Sequence, residues 1–305
     1  MGKYILKRIA LAFVTIWAVA TITFFLMNLV PGGPFLSEKA ISPAATKALE
    51  AKYGLDKPMA ERYFTYISDA AHGDFGDSLK QRGRTVMDII ATKFPVSAKL
   101  GGMAVVLALC VGVPLGVLAA YKRGTFIDSL FSVIATCGIA VPGFVICTLL
   151  LYVFGVKLQW LPTLGLKSAQ SYIMPVIALA AYPTSYIMRL MRSSMLDVLG
   201  QDYMRTAKAK GLSQKVSLFK HALRNAILPV ITYVGPMLAY TLTGSFVTEK
   251  IFTIPGLGGE FIGSISSRDY TVIMGTTIFL ATLLIVMNVI VDIIYKIVDP
   301  RIKLN

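Results

Sequence analysis

Charge is scarce in this 305-residue chain. Asp, Glu, Lys and Arg make up 15% of it, against 55% hydrophobic residues. The middles of the long apolar runs hold no Asp, Glu, Lys, Arg or His. Ionisable groups at membrane depth mark proton relays and ion pathways, so their absence argues against a proton-coupled transporter or a pump. Cysteine is equally sparse. Cys110, Cys137 and Cys147 all lie inside apolar runs. No disulfide framework or thiolate metal site is therefore available outside them. The two histidines, His72 and His221, stand far apart in sequence and make no metal site alone. No G-x-x-x-x-G-K-[ST] occurs, which excludes a P-loop nucleotide site. Neither H-E-x-x-H nor G-x-S-x-G occurs, which argues against a membrane protease or hydrolase.

What is present is apolar length. The mean hydropathy of +0.68 is too high for a soluble domain and points to several membrane spans. Six runs reach or approach the roughly 20 residues a span needs: Ile9–Val30, Leu100–Tyr121, Ser129–Val156, Tyr172–Met188, Ala226–Thr248 and Thr271–Tyr295. The first is too long for a signal peptide's apolar core, and Pro31-Gly-Gly-Pro34 follows it rather than a cleavage site. The expected fold is an all-α integral membrane protein of six transmembrane helices. It carries a helical insertion over 31–95 and a second polar segment over 189–225, all within one domain, 1–305.

Lys and Arg set the orientation. Lys3, Lys7, Arg8, Lys122, Arg123, the basic residues from Arg189 to Arg224, Lys296, Arg301 and Lys303 fall on the side of the termini. The opposite short loops hold only Lys157, Lys167, Lys250 and Arg268. The positive-inside rule then makes both termini and 189–225 cytoplasmic, and 31–95 extracytoplasmic. The same anchoring explains a net charge of +14 without nucleic acid. Lys99, Asp128, Arg189 and Asp292 sit at span ends, where snorkelling makes them inexpensive.

Within 31–95, Ser42 and Pro43 suit a helix start and Gly54 its end. Pro58–His72 has a helical apolar period closed by Gly73. Val86, Ile89, Ile90 and Phe94 form one more short face before Pro95. These helices are expected on the outer membrane surface. Gly101, Gly102, Gly112 and Gly116 form a small-residue stripe for close packing. Pro114, Pro142, Pro175, Pro183, Pro229 and Pro236 fall in or beside four spans. They suit kinked helices around a path, or are the ordinary proline of membrane helices.

In the cytoplasmic segment, Gln201–Lys210 reads as a helix with Gly211 as its C-cap, and Ser213 can start the next. Tyr203, Ala207 and Gly211 share a face at i, i+4 spacing, with Arg205, Lys208 and Lys210 around it. An aromatic anchor beside small residues suits insertion into a protein groove. A basic helix lying on anionic membrane lipid is the alternative.

The segment Arg205-Thr206-Ala207-Lys208-Ala-Lys-Gly211-Leu212 with His221-Ala-Leu223-Arg224 resembles the signature loop of permease subunits in binding-protein-dependent ABC importers. That loop reads Glu-Ala-Ala, three residues, Gly, nine residues, Ile-x-Leu-Pro. Ala207, Gly211 and Leu223 match, while the Glu, Ile and Pro are replaced. The variant here is similar to the peptide-importing branch. So are Pro31-Gly-Gly-Pro34-Phe35, Gly54-Leu-Asp-x-Pro58, His72-Gly-Asp-Phe-Gly-x-Ser78 and Phe94-Pro-Val-Ser-Ala-Lys-Leu-Gly101. Trp160-Leu-Pro162, Ile254-Pro-Gly-Leu-Gly258, Arg268-Asp-Tyr270, Val291-Asp292 and Asp299-Pro300 extend the match. Together they cover nearly the whole chain and resemble the first membrane subunit of oligopeptide importers, the OppB type, more than the dipeptide or nickel versions.

The resemblance implies one permease half of an ATP-driven oligopeptide importer in a bacterial or archaeal cytoplasmic membrane. Its partners would be a second homologous permease, two P-loop ATPase subunits and an extracytoplasmic peptide-binding protein. Tyr203, Arg205, Thr206, Ala207, Lys208, Gly211, Leu212, His221 and Leu223 would dock an ATPase subunit. ATP and Mg would be held by the ATPases, with no cofactor, metal or catalytic residue in this chain. Dipeptide or nickel-chelate transport is the nearer alternative; a stand-alone channel or secondary carrier is the more distant one.

Overall fold

The computed structural model describes residues 2–31, 33–35, 43–213, 216–242 and 246–298. Among these residues the chain is helical, with no strand beyond a single bridge between Asp77 and Thr85. Five helices are long and apolar enough to cross a membrane, six if a sharply bent pair counts as one span. The residues fall into two units, 1–96 with 255–289 and 97–254 with 290–305.

The first unit begins with α1 (Gly2–Leu29). Most of its apolar surface, including Phe13, Val14 and Trp17, is exposed. Helix α2 (Pro43–Lys52) follows, and Gly54 leaves it at φ +64°. The expected Ser42 cap lies outside the described residues. Helix α3 spans Met59–Ala71, and Gly73 follows at φ +82°. Its apolar face was expected on the bilayer surface. Part of that face meets α1: Tyr63 Oη and Thr21 Oγ1 lie 2.8 Å apart. Phe24 packs edge-on to Tyr63 and stacks with Tyr66. Ring pairing of this kind adds about 1 kcal/mol to the area it buries.

The short face at Val86–Phe94 is not a separate surface helix. It is the start of α4 (Val86–Tyr121), a 36-residue helix that runs through Pro95. A reciprocal cap begins it. Thr85 Oγ1 accepts from the Asp88 N–H at 3.0 Å, and an Asp88 carboxylate oxygen accepts from the Thr85 N–H at 3.2 Å. Such a box satisfies two donors that a helix start otherwise leaves orphaned. Val86, Ile89 and Ile90 are buried with Leu257 and Val272 in the unit's core.

Helices α12 (Leu257–Ser267) and α13 (Tyr270–Val298) complete this unit, apart from the end of α13. Arg268 ends α12 in the left-handed region at φ +57°. Asp269 is then buried, and its carboxylate accepts from Ser78 Oγ, from the Leu79 N–H at 3.1 Å and from the Val272 N–H at 3.4 Å. Two sequence segments far apart, 72–78 and 268–270, thus meet at one carboxylate.

The second unit holds the rest of α4 and then α5 (Phe126–Ala140) and α6 (Gly143–Leu150), the latter continued by wider π-type turns over Leu151–Lys157. The single run expected over Ser129–Val156 is therefore broken, with a bend of 104°. The cause is Pro142. Its ring pushes the preceding residue out of helical space, and Val141 is extended at φ −77°, ψ 123°.

Helix α7 (Ile173–Leu199) passes through Pro183 and continues well beyond Met188. Helices α8 (Asp202–Ala209), α9 (Leu223–Ala226), α10 (Leu228–Leu242) and α11 (Phe246–Ile251) complete the unit with the end of α13. The α4 glycines let helices approach. A Cβ at Gly112 would lie 2.8 Å from the Thr184 carbonyl oxygen, and one at Gly116 would lie 2.6 Å from that of Met188. A Cβ at Gly101 would collide with the Thr241 carbonyl, whereas Gly102 faces open space.

Asp128 is not a snorkelling anchor. It is 5% exposed, and Arg192 of α7 grips both of its oxygens, at 2.5 Å through Nε and 2.8 Å through Nη2. The Gly124 N–H also donates to it at 3.1 Å. Fork-on-carboxylate pairing of this kind is among the stronger polar contacts. Asp128→Asn keeps the shape but removes the charge. We expect it to lower the stability of the purified protein by about 2 kcal/mol, read as a fall in thermal midpoint, with Asp128→Glu losing less.

Candidate functional site

The site begins with α8. The chain leaves α7 at Gly200, and Asp202 opens α8 with an acidic residue in the first turn, where the helix dipole favours it. Thr206 Oγ1 donates to the Asp202 carbonyl at 3.1 Å. Gly211 ends the element at φ +74°. The Leu212 N–H reaches back to the Ala207 carbonyl at 3.3 Å, and the Lys210 N–H to that of Thr206 at 3.0 Å. The first of these bonds is the long closing bond of a glycine C-cap, which needs a left-handed residue that glycine adopts without steric cost. A Cβ on Gly211 would meet nothing within 4 Å.

The expected shared face of Tyr203, Ala207 and Gly211 is split. Ala207 is buried, as is Met204. Met204 packs with Met191, Met195, Ala222 and Ala226. Helix α8 is thus held by an i, i+3 pair, Met204 and Ala207, that the i, i+4 reading passed over. The outward residues are Tyr203, Arg205, Thr206, Gly211 and Leu212. Tyr203 is fixed as well as exposed: its hydroxyl accepts from Asn225 Nδ2 at 2.9 Å. Arg205 pairs with Asp202 at 3.5 Å in full solvent, a contact of little energetic value. Lys208 belongs to the helix, but its side chain lies outside the described residues.

Beyond Ser213, which accepts from the Val216 N–H at 3.4 Å, the chain forms π-type turns over Ser217–Ala222 before α9. His221 is half-buried there, and its carbonyl accepts a second bond from Asn225 Nδ2. Leu223 faces an apolar groove of about 500 Å³ shared with Leu218, Phe219, Pro114 and Val117. Asn225 thus links Tyr203 to His221, Ala207 supports α8 from its buried side, and Leu223 lines the separate apolar groove.

The segment contains no group of three or more His, Cys, Asp or Glu placed to hold a metal among the described residues. It offers shape instead: a short helix with an aromatic ring, an arginine and a threonine outward, rooted on methionines. Sequence comparison identifies the context. The family described as the binding-protein-dependent transport system inner membrane component matches residues 112–304, and its N-terminal companion matches residues 1–101.

The chain belongs to this family.

Its members are membrane components of transport systems, so this multi-pass chain is a transport subunit rather than an enzyme. It is 47% identical over 305 residues to the dipeptide transport system permease protein DppB of Bacillus subtilis (strain 168), covering 100% of this chain and 99% of that protein. It is 43% identical over 305 residues to the oligopeptide transport system permease protein OppB of Salmonella typhimurium, covering 99% of this chain and 100% of that one. Among solved structures, an inward-facing conformation of the MetNI methionine ABC transporter matches with a TM-score of 0.58 at 18% identity, covering 70% of this chain and 97% of that one. At that identity the match concerns the fold alone.

Proposed function

We propose that this chain is one permease subunit of an ATP-driven peptide importer, forming half of the path for peptides delivered by an external binding protein. The observation that carries this reading is end-to-end relatedness to permeases named for dipeptide and oligopeptide transport. Both names occur at similar identity, so the cargo is peptide, oligopeptide or dipeptide. A second homologous permease completes the path, two P-loop ATPases bind ATP and Mg on the cytoplasmic side, and the exposed face of α8 receives one ATPase. Closure of the ATPases moves α8 and switches the spans between inward-open and outward-open arrangements, a rigid-body alternation.

The test is reconstitution of the chain with its second permease, ATPases and binding protein in proteoliposomes, followed by ATP-dependent uptake of labelled peptides. Exchanging the binding protein for a relative of different peptide preference that still docks is expected to move uptake specificity with it. A path without mid-membrane charge holds no peptide by strong ion pairs, and conduction needs release as well as entry. Specificity that stays with the permease pair overturns the conduit reading.

Orientation is a separate expectation. A cysteine-free protein carrying Arg82→Cys should react with an impermeant thiol reagent added outside cells. One carrying Ser213→Cys should react only after permeabilisation. Both positions are exposed. The reverse pattern places 31–95 inside.

A further inference from the structure

The apolar groove of about 500 Å³ in the 97–254 unit runs along the last turns of α4. Val113, Val117, Leu118 and Tyr121 form one wall, at the spacing of a single helix face. Phe219 and Leu223, from the π-type turns and the start of α9, form the other. No Asp, Glu, Lys or Arg lines the groove among the described residues. Its volume falls within the roughly 300–1,000 Å³ of sites that take a small molecule.

Charge stands beside it. Lys122 and Arg123 follow Tyr121, and Arg224 follows Leu223. All three are exposed, and none forms an ion pair among the described residues. The Lys122 ammonium stands 5.5 Å from the centre of the Tyr121 ring, so a cation sits over the wall of the groove. Arg123 adds to the field around Asp128, but Arg192 already grips that carboxylate. Lysine and arginine at the end of an apolar span mark the membrane surface. From there back to Val113 the groove penetrates about 12 Å at 1.5 Å per residue, close to the depth of one leaflet in a core about 30 Å thick.

An occupant must match both the walls and the cations. An apolar helix leaves the cations unmatched, and a free anion leaves the walls bare. A zwitterionic lipid brings a cation of its own to the same place. An anionic phospholipid fits both parts, since basic sites beside membrane helices attract anionic headgroups and an acyl chain suits the apolar walls. We propose that this groove seats one anionic phospholipid of the leaflet on the α8 side. Its tail lies between the Val113–Tyr121 face and Phe219, and its phosphate stands at Lys122 and Arg123. Only a membrane-spanning chain is needed for this, not peptide import. Lys122 and Arg123 then bind a particular lipid as well as anchoring a span.

The test uses the full chain in phosphatidylcholine vesicles. Trp17→Phe and Trp160→Phe remove the two native tryptophans. Phe219→Trp, at a position 61% exposed, then puts a fluorescent ring on the groove. A minor share of the lipid carries bromine on its tails, as phosphatidylglycerol in one series and phosphatidylcholine in the other, and bromine in contact quenches the ring. With two cations at the headgroup, each worth about fivefold, phosphatidylglycerol should quench with at least about tenfold higher affinity. Lys122→Gln with Arg123→Gln should bring the two series together. Equal quenching before that change, or a preference that survives it, overturns the proposal. So does no quenching at all, which means that protein covers the ring. In the chain purified with its partner subunits, the phosphatidylglycerol retained through detergent washing should fall with the same two glutamines; unchanged retention gives the groove to a partner and overturns the proposal. If the glutamine variant fails to insert, the charged protein in about 1 M salt decides, where screening sets in within about 3 Å. The preference should then fall about fivefold or more, and its persistence overturns the proposal.

Discussion

Gly211→Trp is expected to strip the ATPase subunits from the purified complex, lowering their recovery at least tenfold, while the chain still inserts in the membrane. Two effects must be separated. Any side chain at Gly211 carries the strain of φ +74°, about 1 kcal/mol. A Cβ there meets nothing within 4 Å among the described residues, so a side chain at this position starts into open space. Gly211→Ala therefore serves as the control, with strain but little bulk. We expect Ala to weaken recovery mildly and Trp to abolish it, with uptake falling in parallel. Equal recovery for Trp and glycine removes α8 from the docking surface. An equal, severe loss for Ala and Trp assigns the effect to the turn and not to contact.

Gly116→Leu is expected to destabilise the fold severely, whatever its partners. The Cβ would stand 2.6 Å from both the Met188 carbonyl oxygen and Met191 Cβ, and α7 cannot retreat without dragging the Asp128–Arg192 pair. Overpacking of this kind costs about 3 kcal/mol or more. The monodisperse peak of detergent-purified protein should collapse and its thermal midpoint fall. Gly102→Leu, on the same helix but in open space, should leave both unchanged. If the two variants behave alike, close contact at Gly116 is not what holds α4 to α7.

Hydropathy alone located the apolar runs, because burying a backbone in lipid demands long uninterrupted helices. It could not give their ends. Pro95 looked like a stop, yet Val86–Phe94 proved continuous with α4, and the Thr85-Val-Met-Asp88 spacing that caps it was present in the sequence. Pro142 looked like any membrane proline but produces the sharp break, because Val141 leaves helical space while no comparable departure ends α7 at Pro183. In the 201–212 segment the glycine turn was readable from composition. The inward turn of Ala207 was not, since Met204 and Tyr203 offer competing apolar stripes and only packing decides between them. Asp128 was misjudged because its partner, Arg192, lies far along the chain. Glu249 is a buried carboxylate that accepts from Ser97 Oγ at 2.7 Å; it stands just beyond the expected end of the fifth run and so escaped a search of span interiors.

Helix α7 is, finally, a stiff rod with a single weak joint. Its 27 residues extend about 40 Å at 1.5 Å per residue, more than a hydrocarbon core is thick. Pro183 lines one cavity with Tyr182 and Tyr233, while Met191 and Met195 near the far end carry Met204 of α8. From Pro183 to Leu199 the arm is roughly 24 Å. A bend of about 10° at the proline, where one helical hydrogen bond is already missing, displaces the Leu199 end by roughly 4 Å. The same geometry run backwards makes the proline a reducing gear: a displacement of several ångströms at the Leu199 end arrives at Pro183 as a change of angle, with almost no translation.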